Sequence, residues 1–401
     1  MPLSAKYSHI HRFAEAAKTC RLPKRIHIHL NGHSHPEQPA QACFLYRSRS
    51  NLCGFTLESV AYDSHSRTPK EEIGELRCIE HIRNRASTLL SKAVRLGIGD
   101  DCAILKPPPG HELLVTTDFS LEGRHFRRDW HSAASAGHRT LARGLSDLAA
   151  MGAKPVAAFL SLALPRSAAR NPLWLDGFLD GLLTLATTYR VPLAGGDTSE
   201  SPSDHVLADI VLIGSAPAGR ALRRSSARPG DLLYCTGSLG GAAAELAELS
   251  ASPRTFRNAN IAGNHPHLFP QPRLAVGAAL LRRQLASSCI DLSDGLSTDL
   301  MHICTASNVT AEIEVASIPI HPFAQRLDPS SALDAALHGG EDYELLFTAP
   351  PTTKLPRSLG GVRITQIGRI LTRRKGRAQV TLIDRDGHRS ALPPQGWEHL
   401  K

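Results

Sequence analysis

The sequence predicts an α+β protein of two domains behind a basic N-terminal extension. Three observations carry this expectation. Both halves repeat a rhythm of short apolar run, glycine turn and helical stretch, with helices on one face of mixed sheets rather than alternating along one parallel sheet. The chain has 401 residues, 42% hydrophobic and 21% charged, which allows a sizeable core. Aspartates recur beside glycines at the ends of apolar runs, as in Gly97-Ile-Gly-Asp-Asp-Cys-Ala103, Val115-Thr-Thr-Asp118 and Ala194-Gly-Gly-Asp-Thr198. Hard divalent ions take oxygen ligands and bridge carboxylates to substrate phosphates, so this pattern points to magnesium and a polyphosphate.

Composition excludes several classes. No apolar run reaches the roughly 18 residues of a membrane helix, so a soluble protein is expected. The net charge is +9, but residues 1–70 hold ten Lys/Arg against four Asp/Glu, and the remainder 36 against 33. The body therefore lacks the dense cationic face that nucleic-acid binding needs. The eight cysteines form no C-x-x-C pair and several sit in apolar stretches, which reads as reduced thiols of a cytoplasmic protein.

Residues 1–70 show no sustained period and read as a disordered extension or as a start placed too far upstream. The tract His27-Ile-His-Leu-Asn-Gly-His-Ser-His35 also has the composition of a metal-binding run. From Glu71 to Leu96 the apolar spacing is helical, and Gly97 ends it. The glycine-rich turn at 97–103 leads through a proline loop to a short strand ending at Asp118. Ala133–Ala150 is a helix rich in small residues, 156–164 a strand, and 173–189 a second helix. Residues 191–197 read as a strand entering a glycine turn, and 206–214 as another strand. The basic stretch 220–231 marks the boundary, giving domains at 71–220 and 221–401. Beyond it lie a strand at 232–236, a glycine turn opening an Ala-rich helix to Leu249, and a long loop at 251–272. A helix at 274–285, the Asp-bearing segment 290–294 and a helix to about Ser307 follow. Strands are expected at 313–315, 345–348, 364–370 and 380–383.

With these motifs laid out, the chain from about Glu72 onward resembles the thiamine-monophosphate kinase family. That family lies within the superfamily of aminoimidazole-ribonucleotide synthetase, selenophosphate synthetase and the hydrogenase-maturation dehydratase. The resemblance rests on eight motifs in order: those at 97–103 and 116–118, Gly-Arg-His-Phe at 123–126, Leu-Ser-Asp-Leu-Ala-Ala-Met-Gly at 145–152, Gly-Gly-Asp-Thr at 195–198, Gly-Arg-Ala-Leu-Arg-Arg at 219–224, Ile-Asp-Leu-Ser-Asp-Gly-Leu at 290–296 and Gly-Gly-Glu-Asp-Tyr-Glu-Leu at 339–345. It implies a PurM-like fold, with an N-terminal domain pairing into a dimeric, barrel-like sheet and a C-terminal α/β sandwich. It implies magnesium-dependent transfer of the ATP γ-phosphoryl group to thiamine monophosphate, by charge neutralisation and positioning without a covalent intermediate.

Carried onto this sequence, the resemblance assigns several magnesium ions to Asp101, Thr117, Asp118, Asp147, Asp197, Asp291 and Asp294. Asp118, Asp197 and Asp294 stand at the chemistry, and Asp100 hydrogen-bonds beside Asp101. Gly196, Asp197, Arg224 and Ser293 would hold ATP, with His125, Glu341 and Trp397 against thiamine monophosphate. The alternatives are a sister activity, selenophosphate synthetase-like or ribonucleotide synthetase-like, or a non-catalytic nucleotide-binding scaffold. A classical kinase is excluded by motif, since neither G-x-x-x-x-G-K-[ST] nor an H-R-D set occurs.

Overall fold

A computed structural model describes residues 75–87, 91–374, 376 and 379–396. The extension at 1–70 and Trp397 lie outside these residues.

Helix α1 (Glu75–Ala86) is followed by a two-stranded antiparallel ribbon, β1 (Val94–Leu96) and β2 (Ile104–Leu105). The expected helix to Leu96 is therefore corrected: it stops at Ala86, and Val94 pairs with Leu105 instead. Long-range pairing here overrides helical spacing. The ribbon makes the 97–103 turn a hairpin loop, within which Asp100 Oδ1 accepts the Asp101 N–H at 2.9 Å.

The first sheet has four strands: β3 (His111–Leu121), β4 (Lys154–Leu164), β5 (Leu193–Glu200) and β6 (Leu207–Pro217), in the order β3-β6-β4-β5. Helices α2 (Ala133–Ala150) and α3 (Pro172–Tyr189) cover one face. They cross closely because glycines stand at the contact: a Cβ on Gly181 would lie 1.9 Å from the Ala134 carbonyl oxygen. Alternate residues of β3 leave the other face exposed, with Val115 65% and Phe119 62% accessible. The turn expected at Gly195-Gly196 is a second correction. The strand runs straight through both glycines, and a Cβ on Gly196 would sit 1.8 Å from the Leu160 carbonyl oxygen. The glycines allow close approach of backbones rather than reversal.

The second sheet runs β14-β13-β9-β12-β7-β10-β8, with the short β11 (Ser358–Leu359) on the end of β12. Its strands are β7 (Leu232–Thr236), β8 (Ser288–Asp291), β9 (Val309–Glu314), β10 (Leu345–Ala349), β12 (Val362–Thr372), β13 (Val380–Ile383) and β14 (Arg389–Ala391). All described pairings are antiparallel except β9 with β13. Helices α4 (Gly241–Ala251), α5 (Leu274–Arg282), α6 (Leu296–Ser307) and α7 (Pro329–His338) accompany it. Helix α7 was not expected, although its start is written in the sequence: Asp328 accepts the N–H groups of Ser330 and Ser331, and Pro329 opens the first turn.

Helix α2 joins the two halves. Fourteen of its 18 residues are buried, because one side lies on the first sheet and another meets α5 and β8. A helix enclosed all round has little polar surface to spare, so the polar residues it does carry mark a purpose.

Candidate active site

A cavity of about 430 Å³ lies between the two sheets, lined from both halves of the chain. Strand β3 brings Asp118, α2 brings Arg143 and Asp147, and the turn after β3 brings His125 and Phe126. From the second half come Asp291 at the end of β8, Ser293, Asp294, and the segment from Gly339 to Glu341 with Tyr343.

At one end three carboxylates crowd together. Burial first, and the charge of Asp147 with it, lift Asp118 to about 6 and Asp291 to about 7. Burial also raises Asp147. Opposing these shifts, Thr116 Oγ1 donates to Asp147 Oδ2 and Ser146 Oγ donates to Asp291 Oδ2 at 2.7 Å. The positive charges of Arg143 and Arg224 act in the same direction. Mutually repelling, half-desolvated carboxylates with oxygen donors only are the donor set a hard divalent cation requires.

The Ser293–Gly295 loop beside them is held by a residue that sequence reasoning passed over. Buried Asp299 accepts three backbone N–H bonds, from Ser293 (3.0 Å), Asp294 (3.0 Å) and Gly295 (3.1 Å). Its carboxyl is still pushed well above the usual range by burial and by Asp291 and Asp294.

At the other end stands Glu341. Its backbone, like that of Tyr343, has positive φ, 69° and 50°. Strained backbone of this kind persists where the surroundings over-determine it. Here the Glu341 N–H donates to the Ser293 carbonyl at 2.8 Å and that of Tyr343 to Leu292 at 2.9 Å. The carboxylate is gripped by Arg139 NH2 at 2.9 Å and Arg143 NH1 at 3.2 Å. Arg139, 2% exposed, also donates to the backbone carbonyls of His125 (3.0 Å) and His267. It therefore ties together the two residues expected at the acceptor. The neighbouring acids do other work: Asp342 accepts from Gly240 (2.6 Å) and Ala242 (3.0 Å), and Glu344 pairs with Arg273 at 2.5 Å.

The structure thus gathers Asp118, Asp147, Asp291, Ser293, Asp294, His125 and Glu341 on one cavity, with Arg224 near Asp147 and Asp291. Four expected residues are placed elsewhere. Asp101 is exposed in the hairpin loop. The Thr117 hydroxyl donates to Asp209 Oδ1 at 2.8 Å on the open face of the first sheet. Asp197 lies in the register row of Phe119, Asp209 and Ser161, on that same face, and Gly196 precedes it. Gln395 and Gly396 line the cavity, and Trp397, the residue expected against the acceptor, lies outside the described residues. Arg139 and Arg143 escaped sequence reasoning, yet their spacing with Asp147 (i, i+4, i+8) is that of one helix face.

Two sheets joined by a buried helix, with acidic residues gathered at the seam, define a two-domain nucleotide-handling enzyme class. The chain matches the AIR synthase related protein family, N-terminal domain over residues 99–216 and C-terminal domain over 228–381. It is 42% identical over 314 residues to thiamine-monophosphate kinase of Escherichia coli (strain K12), covering 77% of this chain and 92% of that one. Against the Bacillus subtilis (strain 168) enzyme of the same name it is 32% identical, covering 78% and 96%. The crystal structure of thiamine-monophosphate kinase from Stenotrophomonas maltophilia K279a superposes with a TM-score of 0.67 at 36% identity, covering 77% and 95%. AaThiL complexed with AMPPCP and TMP gives 0.63 at 29% identity, covering 84% and 100%. The chain belongs to the thiamine-monophosphate kinase family.

Proposed function

We propose that this protein transfers the γ-phosphoryl group of ATP to thiamine monophosphate, giving thiamine diphosphate and ADP. The observation that carries this reading is one cavity with two chemically distinct ends. Carboxylates suited to cations stand at one end, and an arginine-clamped glutamate with His125 stands at the other. The 42% identity to the Escherichia coli enzyme agrees with it.

Magnesium, when bound, would neutralise the phosphates; Asp118, Asp147, Asp291 and Asp294 would hold it from the cavity side. Arg224, with Ser293 on the loop shaped by Asp299, would contact the nucleotide. Glu341 and His125 would orient the acceptor, and Trp397 would close on its ring from the segment after Gly396. Thr117, Gly196, Asp197 and Asp101 would complete the metal and phosphate set from the open face and the hairpin. That open face is also the reason to place a second copy there. Leu113, Val115 and Phe119 form an exposed apolar row along β3, which a homodimer would cover. Among the described residues no helix is long and apolar enough to cross a membrane. We place the enzyme in the cytoplasm.

The test is direct: purified protein with ATP, magnesium and thiamine monophosphate, products separated by chromatography, with a magnesium-free control. Equal amounts of thiamine diphosphate and ADP, formed only with magnesium, are expected. Asp118→Ala should lower turnover about a thousandfold while leaving the fold intact. ATP bound without thiamine diphosphate formed would point instead to a sister activity of the superfamily.

A further inference from the structure

Arg143 touches both ends of the cavity. Its NH1 lies 3.2 Å from Glu341 Oε1 and donates to the Tyr343 hydroxyl at 3.3 Å, while NH2 lies 3.5 Å from Asp118 Oδ1. Its Nε is buried with no hydrogen-bond partner among the described residues. A guanidinium carries five N–H donors. The contacts Arg143 makes are all longer than the roughly 2.7–2.9 Å of a charge-assisted bond.

Arg139, one turn earlier on the same helix, also has a buried Nε with no partner among the described residues, but its terminal nitrogens are closely engaged. Its NH2 holds Glu341 at 2.9 Å and the His125 carbonyl at 3.0 Å, and NH1 donates to the His267 carbonyl. Of the two arginines on Glu341, Arg139 makes the shorter contact. The sequence therefore keeps a second, partly buried cation whose donors are loosely occupied, midway between the acidic cluster and the acceptor glutamate. Asp118 and Glu341 balance its charge, and the donors they leave unused on the cavity wall can take a further anionic oxygen.

We propose that Arg143 is a catalytic residue, its guanidinium contacting the phosphoryl group in passage from nucleotide to acceptor; this rests on the kinase reading above. In that step the bond between the γ-phosphorus and the bridging oxygen breaks, and its electron pair stays on ADP. A new bond forms from a non-bridging oxygen of the acceptor's monophosphate to the same phosphorus. A dianionic acceptor releases no proton, so no base is required. The obstacle is repulsion between two phosphates brought to bonding distance, and a fixed forked cation between them acts on that repulsion. Lysine, a point charge on a flexible stem, would reproduce it only in part.

The experiment compares wild type with Arg143→Gln, Arg143→Lys and Arg143→Ala, the last with and without added guanidinium, by steady-state kinetics and thermal melting. Arg143→Gln is expected to lower kcat about 10²–10³-fold, with each KM within about threefold. Arg143→Lys should keep part of the rate, and guanidinium should restore part of the Arg143→Ala rate. A kcat within a few-fold of wild type in Arg143→Gln overturns the proposal. So does a raised KM for thiamine monophosphate at unchanged kcat, which would make Arg143 a positioning residue for Glu341. If the Gln and Ala variants fail to fold, the charge-retaining Lys variant decides, and an undiminished kcat there overturns the proposal. Wild-type protein that makes no thiamine diphosphate overturns the kinase reading and this inference with it, whereas an active wild type with indifferent variants overturns this inference alone.

Discussion

Ser146 Oγ donates to Asp291 Oδ2 across 2.7 Å, and the two residues are 145 positions apart in the chain. One sits in α2 on the first sheet, the other at the end of β8 in the second. The bond crosses the seam where the carboxylates meet and lowers the pKa of a buried group that burial drives up.

Ser146→Ala should therefore act on the metal site more than on the fold. Loss of one such bond costs about 1–3 kcal/mol when the remaining partner stays buried. The Asp291 carboxyl would hold its proton to higher pH, so magnesium titrations at pH 7 should show weaker activation, recovering as pH rises. An unchanged magnesium dependence would contradict this role.

The carboxylate shifts also fix a pH dependence of stability. Asp118, at about 6, and Asp291, at about 7, release their protons later in the folded chain than in the unfolded one, whose carboxyls titrate near 3.8. Between those values the folded state binds more protons, so stability from these groups is full below about pH 4 and is lost as pH rises through 6 and 7. Metal-free protein, melted across this window with chelator, should show that downward contribution. Added magnesium should offset it at the upper end, because a bound cation favours the ionised form.

Glu341 and Glu344 stand three residues apart and should respond differently. Glu341 faces the cavity, so Glu341→Gln should raise the KM for thiamine monophosphate by an order of magnitude or so with a folded protein. Glu344 is buried against Arg273, with Thr236 donating to it. Glu344→Gln breaks a buried pair and should cost about 3–5 kcal/mol, visible as a fall in melting temperature. An unchanged KM for thiamine monophosphate in Glu341→Gln, or a raised one in Glu344→Gln, would refute the division of labour.

Phe119, 62% exposed on the open face of the first sheet, tests the proposed dimer. Phe119→Arg should convert a dimer to a monomer in light scattering without unfolding the chain, since the side chain contributes nothing to the described core. A wild-type monomer would remove the basis for pairing through this face.

Much of the fold was legible because its signals are local. The helix at Ala133–Ala150 and the strands at Leu232–Thr236 and Val380–Ile383 follow from apolar spacing and glycine punctuation. The errors came where contacts distant in sequence decide. Val94–Leu96 is a strand because Leu105 is there to pair, and Gly195-Gly196 continues a strand because β4 approaches too closely for any side chain.

The candidate site divides in the same way. The sequence by itself determined which residue types are present: acids beside glycines, in motifs whose order resembles one family, and hence oxygen-ligand chemistry on phosphates. It could not determine which acids share a space. In Gly339-Gly-Glu-Asp-Tyr-Glu344 the three carboxylates look alike, yet one faces the cavity, one holds the turn at Gly240, and one is buried against Arg273. Nor could it single out Arg143, whose meaning depends on Asp118 reaching it from β3 and Glu341 from the segment before β10. Charge interaction depends on distance and on exclusion of water, and both are set only when α2 is enclosed between the halves.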